Sequence, residues 1–278
     1  MKLSRAIGQL SCAPIFAATL PRNASSVGFQ AAIERAQLIG LHGFGNSGRS
    51  FRHFEKEMQE RGLSLAAPDL LGFGQTAKPH AGYSLTQYAR LTEAFVQELG
   101  LVKPVLIGHS FGGLLALATT LLLPDVFSGL ILMSPGGFHP LQSFQRLADR
   151  NWAYRLMRSP LFAQVVQSTS LRMVFDQPET MDALLRMHRS HQHLDLDQTG
   201  LRPQLQDIPI PMLLLWGDRD KILPPFVQKR ARRQLPQAQF QLIRQAGHAP
   251  MRDAPSAVAD AIASFLEQHH LIRPQNLS

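Results

Sequence analysis

The chain has 278 residues, 45% of them hydrophobic, and 28 Lys and Arg against 20 Asp and Glu give a formal net charge of +8. That is enough apolar material for one large domain, or one domain with a sizeable insertion, and it excludes disorder as the main state. The single cysteine, Cys12, excludes a disulfide framework, a cysteine zinc cage and an iron–sulfur cluster. No apolar run reaches the roughly 18–20 residues that span a bilayer.

The first 33 residues carry Lys2, Arg5 and Arg22 and no acid. Gln9, Ser11 and Pro14 interrupt Ala6–Leu20 and make a poor secretion signal, so a cytoplasmic location is expected, with export or organelle targeting as the minor alternative. The same region also reads as an opening strand pair, Ile15–Leu20 and Val27–Ile33. From residue 37 the pattern becomes regular. Gln37–Leu41 is a short apolar strand ending in His42-Gly43-Phe44-Gly45. Ser50–Arg61 has helical spacing at Phe51, Phe54 and Met58. Leu63–Ala67 is a strand leading into the loop 68–74. Ser84 caps a helix to about Leu99, with Gly100 just past its end.

Pro104–Gly108 is a strand, Phe111–Leu123 a helix stopped by Pro124, and Phe127–Met133 another strand. Residues 136–208 contain helical patterns and no convincing strand. Regular alternation then resumes: strand Pro211–Trp216, helix Pro224–Leu235, strand Gln239–Arg244 and closing helix Ser256–Gln268. Strands rich in Leu and Ile that alternate with helices predict a mostly parallel sheet covered on both faces. The division follows as core 1–135, helical insertion 136–208 and core 209–278.

The positive charge invites a nucleic-acid reading. Its densest cluster, Lys229, Arg230, Arg232 and Arg233, lies on the helix after Pro224-Pro225, and only Phe226 accompanies it closely. A strand-binding groove would interleave several aromatics with its cations. No helix-turn-helix, zinc-finger or RNA-binding signature is present. The cluster is read as a solvated helix face, and no nucleic-acid partner is expected.

Gly108-His109-Ser110-Phe111-Gly112 matches G-x-S-x-G. Three fixed residues alone give roughly 0.1 chance matches in a chain of this length. The context is more telling, because a strand precedes the serine and a helix follows it, as a nucleophile on a sharp strained turn requires. Glycines are needed beside it because neighbouring backbone comes into contact there.

With these residues in view, the chain resembles an α/β-hydrolase fold serine hydrolase with a helical cap, of the carboxylesterase or C–C hydrolase kind. The resemblance covers about residues 37–268. It rests on four motifs in the family's order: His42-Gly43-Phe44-Gly45, Gly108-His109-Ser110-Phe111-Gly112, Gly217-Asp218-Arg219-Asp220 with Pro224, and Gly247-His248. It implies a catalytic triad of Ser110 as nucleophile, His248 as base and Asp220 as the acid that orients the base. Gly217, Asp220, Ile222 and Pro224 fit the family spacing, which leaves Asp218 as a turn or capping residue. The resemblance also implies an oxyanion hole from the N–H groups of Phe44 and Phe111. It sets His42, Gly43 and His109 beside the substrate, His42 as a brace for its loop. No metal or organic cofactor is implied.

Residue 110 is Ser rather than Asp, which argues against dehalogenases and epoxide hydrolases of this fold. The insertion is rich in Met and aromatic residues and nearly neutral, with eight Arg against seven acids. This suits a small-molecule substrate with an apolar acyl or alkyl group, although over half of those residues would simply pack cap helices together. His188, His191 and His193 with Asp195 and Asp197 lack zinc-motif spacing and read as a solvated loop. The expected activity is hydrolysis of a small, largely apolar carboxylic ester. The alternatives are carbon–carbon hydrolysis of a vinylogous diketone acid and a ligand receptor on the same fold. The first is disfavoured because Ala249-Pro250-Met251 replaces the aromatic residue usual after that base. Oligomeric state is left open.

Overall fold

A computed structural model of the protein describes residues 37–79, 82–138 and 194–271. Cys12, the opening strand pair and the histidines of the insertion lie outside them, as does most of the insertion's apolar set. The described strands are β1 (Leu38–Leu41), β2 (Leu65–Ala66), β3 (Val105–His109), β4 (Gly129–Met133), β5 (Met212–Gly217) and β6 (Gln239–Ile243). They form one open sheet in the order β2-β1-β3-β4-β5-β6, with every pairing parallel.

Parallel strands need crossovers, and here helices supply them. The described α-helices are α1 (Arg52–Glu60), α2 (Leu85–Glu98), α3 (Phe111–Leu122), α4 (Pro225–Gln234), the short α5 (Pro250–Asp253) and α6 (Pro255–Gln268). The central strands are apolar on both faces because both are covered. In β4, Leu130 and Leu132 pack with Tyr88 and Phe95 of α2, Leu117 of α3 and Val227 of α4 in one cluster. Ile131 and Met133 turn to the opposite cluster, with Phe54 and Met58 of α1 and Ile262 and Phe265 of α6. β5 divides the same way, with Leu214 and Trp216 on the first side and Leu213 and Leu215 on the second.

Local chemistry explains where the elements depart from the expected bounds. The helix expected from Ser50 is entered through a 3-10 turn, Gly48–Phe51. There Asp69 Oδ1 accepts the Gly48 amide at 2.8 Å and Ser50 N–H closes on the Ser47 carbonyl at 3.0 Å. The strand expected over Leu63–Ala67 is shorter, Leu65–Ala66; before it, the Leu63 amide is taken by the Met58 carbonyl in closing α1, and the Ser64 carbonyl accepts the Leu38 amide at 3.2 Å. The cap at Ser84 is present, its hydroxyl accepting the Gln87 amide at 3.1 Å. α5, a single turn, is too short to give a periodic signal in the sequence; a proline opens it, where the missing N–H costs no bond.

The segment assigned to an insertion is described only at its two ends, 136–138 and 194–208. Arg202 ties these ends together. Its Nη2 donates to the Gly137 carbonyl at 2.6 Å, its Nη1 donates to Gln234 Oε1 of α4 at 2.9 Å, and its Nε pairs with Asp197. On α4, Lys229, Arg232 and Arg233 are exposed, and Arg232 lies over the Phe240 ring at 4.4 Å. Among the described residues no helix is long and apolar enough to cross a membrane.

Candidate active site

β3 ends at His109, and the next residue turns sharply. Ser110 has φ 52° and ψ −115°, a left-handed backbone that a residue with a Cβ adopts only under constraint. The constraint is visible on both sides. Ser110 N–H donates to the Met133 carbonyl at 3.0 Å, and Gly136 N–H donates to the Ser110 carbonyl at 2.7 Å. The glycines make the turn sterically possible. A Cβ on Gly108 would lie 2.5 Å from the Gly112 carbonyl oxygen, one on Gly113 would lie 2.6 Å from Pro135 Cβ, and one on Gly112 would overlap the Leu41 carbonyl.

His248 follows β6 and Asp220 follows β5. The two loops touch because Gly217 and Gly247 have no side chains, and a Cβ on Gly217 would overlap the Gly247 carbonyl. Arg219 N–H donates to the Ala246 carbonyl at 2.8 Å, and Gly247 N–H to Asp253 Oδ2 of α5 at 2.8 Å. These contacts bring Ser110, His248 and Asp220 into one hydrogen-bonded chain. Ser110 Oγ lies 2.8 Å from His248 Nε2, and His248 Nδ1 lies 2.9 Å from Asp220 Oδ2. The partners assign the tautomer: Nδ1–H donates to the carboxylate, and Nε2 accepts from the hydroxyl. Burial alone would raise the Asp220 carboxyl, but His248 and the amides of Leu223 and Ile222 outweigh it and hold it below the ordinary value. Asp218 is exposed, its N–H spent on the Ile243 carbonyl.

The loop Gly43–Gly45 passes close to the serine. A Cβ on Gly43 would lie 2.9 Å from His109 Nδ1 and 3.3 Å from Ser110 Cβ. The rings of Phe44 and Phe111 meet edge to face at 5.8 Å, Phe44 and Phe73 at 5.0 Å, and Tyr88 and Phe111 at 5.8 Å. Phe111 opens α3, and as its first residue its N–H has no carbonyl of the helix to bond.

His42 and His109 are both fully buried. His42 Nδ1–H donates to the Gly43 carbonyl at 2.8 Å, and Nε2 accepts the Leu70 amide at 2.9 Å. Both ring nitrogens are thus spent on backbone. Burial pushes the imidazole down to about 4, against smaller opposing contributions from Gly43 and Asp69. His109 Nε2 lies 2.8 Å from the His248 carbonyl, and its Nδ1 has no described partner. Burial, reinforced by His248, pushes His109 down to about 3.

Asp69 is a site residue that the motifs did not flag. It is buried, and it accepts the Gly48 amide with one oxygen and the Gln75 amide with the other at 2.9 Å. It thereby ties the loop after β2 to the loop after β1. The available signal was an acid between Pro68 and Leu70 in an otherwise apolar loop. Among the described residues no group of three or more His, Cys, Asp or Glu could hold a metal ion.

The profile of the alpha/beta hydrolase family matches residues 38–261, and the chain belongs to that family. It is an α/β-hydrolase enzyme. It is 28% identical over 253 residues to an uncharacterized hydrolase, YugF, of Bacillus subtilis, covering 84% of this chain and 90% of that one. To Lipase 1 of Psychrobacter immobilis it is 28% identical over 243 residues, covering 82% of this chain and 76% of the lipase. Among solved structures it is similar in fold to a thermophilic esterase from Thermogutta terrifontis, with a TM-score of 0.63, 24% identity, and coverage of 84% and 90% of the two chains.

Proposed function

We propose that the protein is a serine hydrolase that cleaves a small, largely apolar carboxylic ester through an acyl-enzyme. The observation that carries this reading is the hydrogen-bonded chain Ser110–His248–Asp220, with the serine held on a strained turn. Ser110 Oγ attacks the ester carbonyl while its proton passes to His248 Nε2. The alkoxide leaves with that proton, and an ester forms on Ser110. Water then attacks the acyl carbonyl, giving its proton to His248, and Ser110 Oγ departs and recovers it. Asp220 holds the tautomer and offsets the charge on the imidazolium. The amides of Phe44 and Phe111 receive the oxyanion, and Gly43 lets that loop come close.

The partly buried rings of Phe44 and Phe111, packed on Phe73 and Tyr88, support an apolar substrate. The lipase relative supports an ester. The residues after His248, Ala249-Pro250-Met251, weigh against carbon–carbon hydrolysis. Replacing Ser110 with Ala should cost about 10⁵–10⁶ in kcat toward p-nitrophenyl esters of varied acyl length. Unchanged turnover would remove Ser110 from the mechanism. Faster turnover of ring-cleavage dienoates than of any ester would reassign the bond.

A further inference from the structure

His248 is held at three points. Its ring meets Asp220 on one side and Ser110 on the other, and its main-chain carbonyl meets the ring of His109 at 2.8 Å. The third contact joins the end of β3 to the loop after β6, across 139 residues of sequence. The two imidazoles lie 5.2 Å apart, centre to centre. A carbonyl accepts and does not donate, so His109 Nε2 must carry hydrogen. Its Nδ1 is then a bare acceptor, buried without a described partner and close to Gly43. An unpaired buried acceptor is costly. A leucine of similar bulk would avoid that cost but would leave the His248 carbonyl without its donor.

We propose that His109 is a positioning residue for His248, its Nε2–H anchoring the backbone of the base so that the imidazole keeps its place through both halves of the reaction. This rests on the serine-hydrolase reading above. In the free enzyme Ser110 itself helps to hold the ring. Once Ser110 is acylated its hydroxyl hydrogen is gone and that bond is lost. Among the contacts described for His248, Asp220 and His109 then remain to hold it while it takes a proton from water. The anchor therefore matters more for deacylation than for acylation.

The test compares His109→Leu, which removes the donor, with His109→Gln, whose Nε2 is as many bonds from Cβ as the histidine Nε2. Turnover of p-nitrophenyl acetate is followed from the first turnover onward. For His109→Leu, kcat should fall by about tenfold to a hundredfold, the loss that a misplaced catalytic group brings. kcat/KM, which reports acylation, should fall less, and a burst of close to one p-nitrophenol per folded enzyme should remain. His109→Gln should recover most of kcat.

Unchanged kcat in the Leu variant would overturn the proposal. So would a burst that shrinks in step with kcat, because that pattern means fewer competent molecules rather than a misplaced base. Equal losses in Leu and Gln would overturn it too. If the Leu variant does not fold, His109→Asn, one bond shorter, replaces it, and equal activity of Gln and Asn is then the overturning result. If the wild-type enzyme turns over no ester, the serine-hydrolase substrate fails separately. Labelling of Ser110 by a fluorophosphonate still reads the anchor, with slower labelling expected in Leu than in Gln.

Discussion

Asp220 divides its two carboxylate oxygens: Oδ2 meets His248 Nδ1 at 2.9 Å, and Oδ1 accepts the amides of Ile222 and Leu223 at 2.9 Å each. The amides fix the carboxylate so that it reaches the imidazole along one line. Asp218, two residues earlier, is exposed and has no such cradle. Asp220→Asn should therefore lower kcat by about 10⁴, since an amide would favour the wrong imidazole tautomer. Asp218→Asn should stay within about twofold. Equal losses from the two variants, measured on one ester, would show that the orienting role has been misplaced.

The elbow makes a steric prediction. Gly112→Ala would drive a methyl into the Leu41 carbonyl, a backbone group that cannot swing away. It should cost about 3 kcal/mol or more. Gly62→Ala is a useful contrast, because nothing lies within 4 Å of its Cβ and only the φ of +72° resists. That change should cost about 1–2 kcal/mol. Urea midpoints compared with the parent protein would check the order.

Two buried imidazoles make stability depend on pH. His42 is pushed down to about 4 and His109 to about 3, from an ordinary 6.5. Depressed values in the fold mean that unfolding takes up a proton at each residue in this window. Their stabilisation is complete above about pH 6.5 and is lost as pH falls toward 4 and then 3, by up to about 1.4 kcal/mol per pH unit for each histidine. Asp220, also held low, adds a loss of the same sign only below its ordinary 3.8. Thermal melts from pH 7.5 to 4.5 should show the fall, and His42→Gln should reduce its slope. A flat profile across that range would mean that these rings are not buried neutral.

Arg202 offers a stability test remote from the chemistry. Arg202→Met would leave the Gly137 carbonyl and the Gln234 amide oxygen without their donors, a loss of about 2 kcal/mol. Asp197→Asn should cost well under 1 kcal/mol, because that carboxylate is more than half exposed. Denaturation of the two variants side by side measures the difference.

Much of this was readable along the chain. The parallel sheet is announced by Leu- and Ile-rich runs separated by helical periods. The sharp turn at Ser110 is announced by glycines at 108 and 112 between a strand and a helix. The family resemblance, through the spacing of Gly217, Asp220, Ile222 and Pro224, points to Asp220 rather than Asp218, and Asp220 Oδ2 is the oxygen that lies against His248. The less legible features depend on contacts between distant segments. Asp69 reaches back to Gly48, which gives no local pattern beyond one acid in an apolar loop. The resemblance sets His109 beside the substrate, and no local pattern announces that its ring meets the His248 carbonyl, 139 residues away. Periodicity alone also misses the 3-10 turn at Gly48 and the four residues of α5, since each is a single turn of helix.

The chain Ser110–His248–Asp220 draws on the turns after β3, β6 and β5, so no short stretch of polypeptide contains even two of its members. Each turn is placed by the pairing of its own strand with its neighbours. The proposed ester turnover is therefore a gauge of the integrity of the sheet. In urea, activity and helical circular dichroism should disappear together, at one midpoint, as the cooperative loss of a single folded unit.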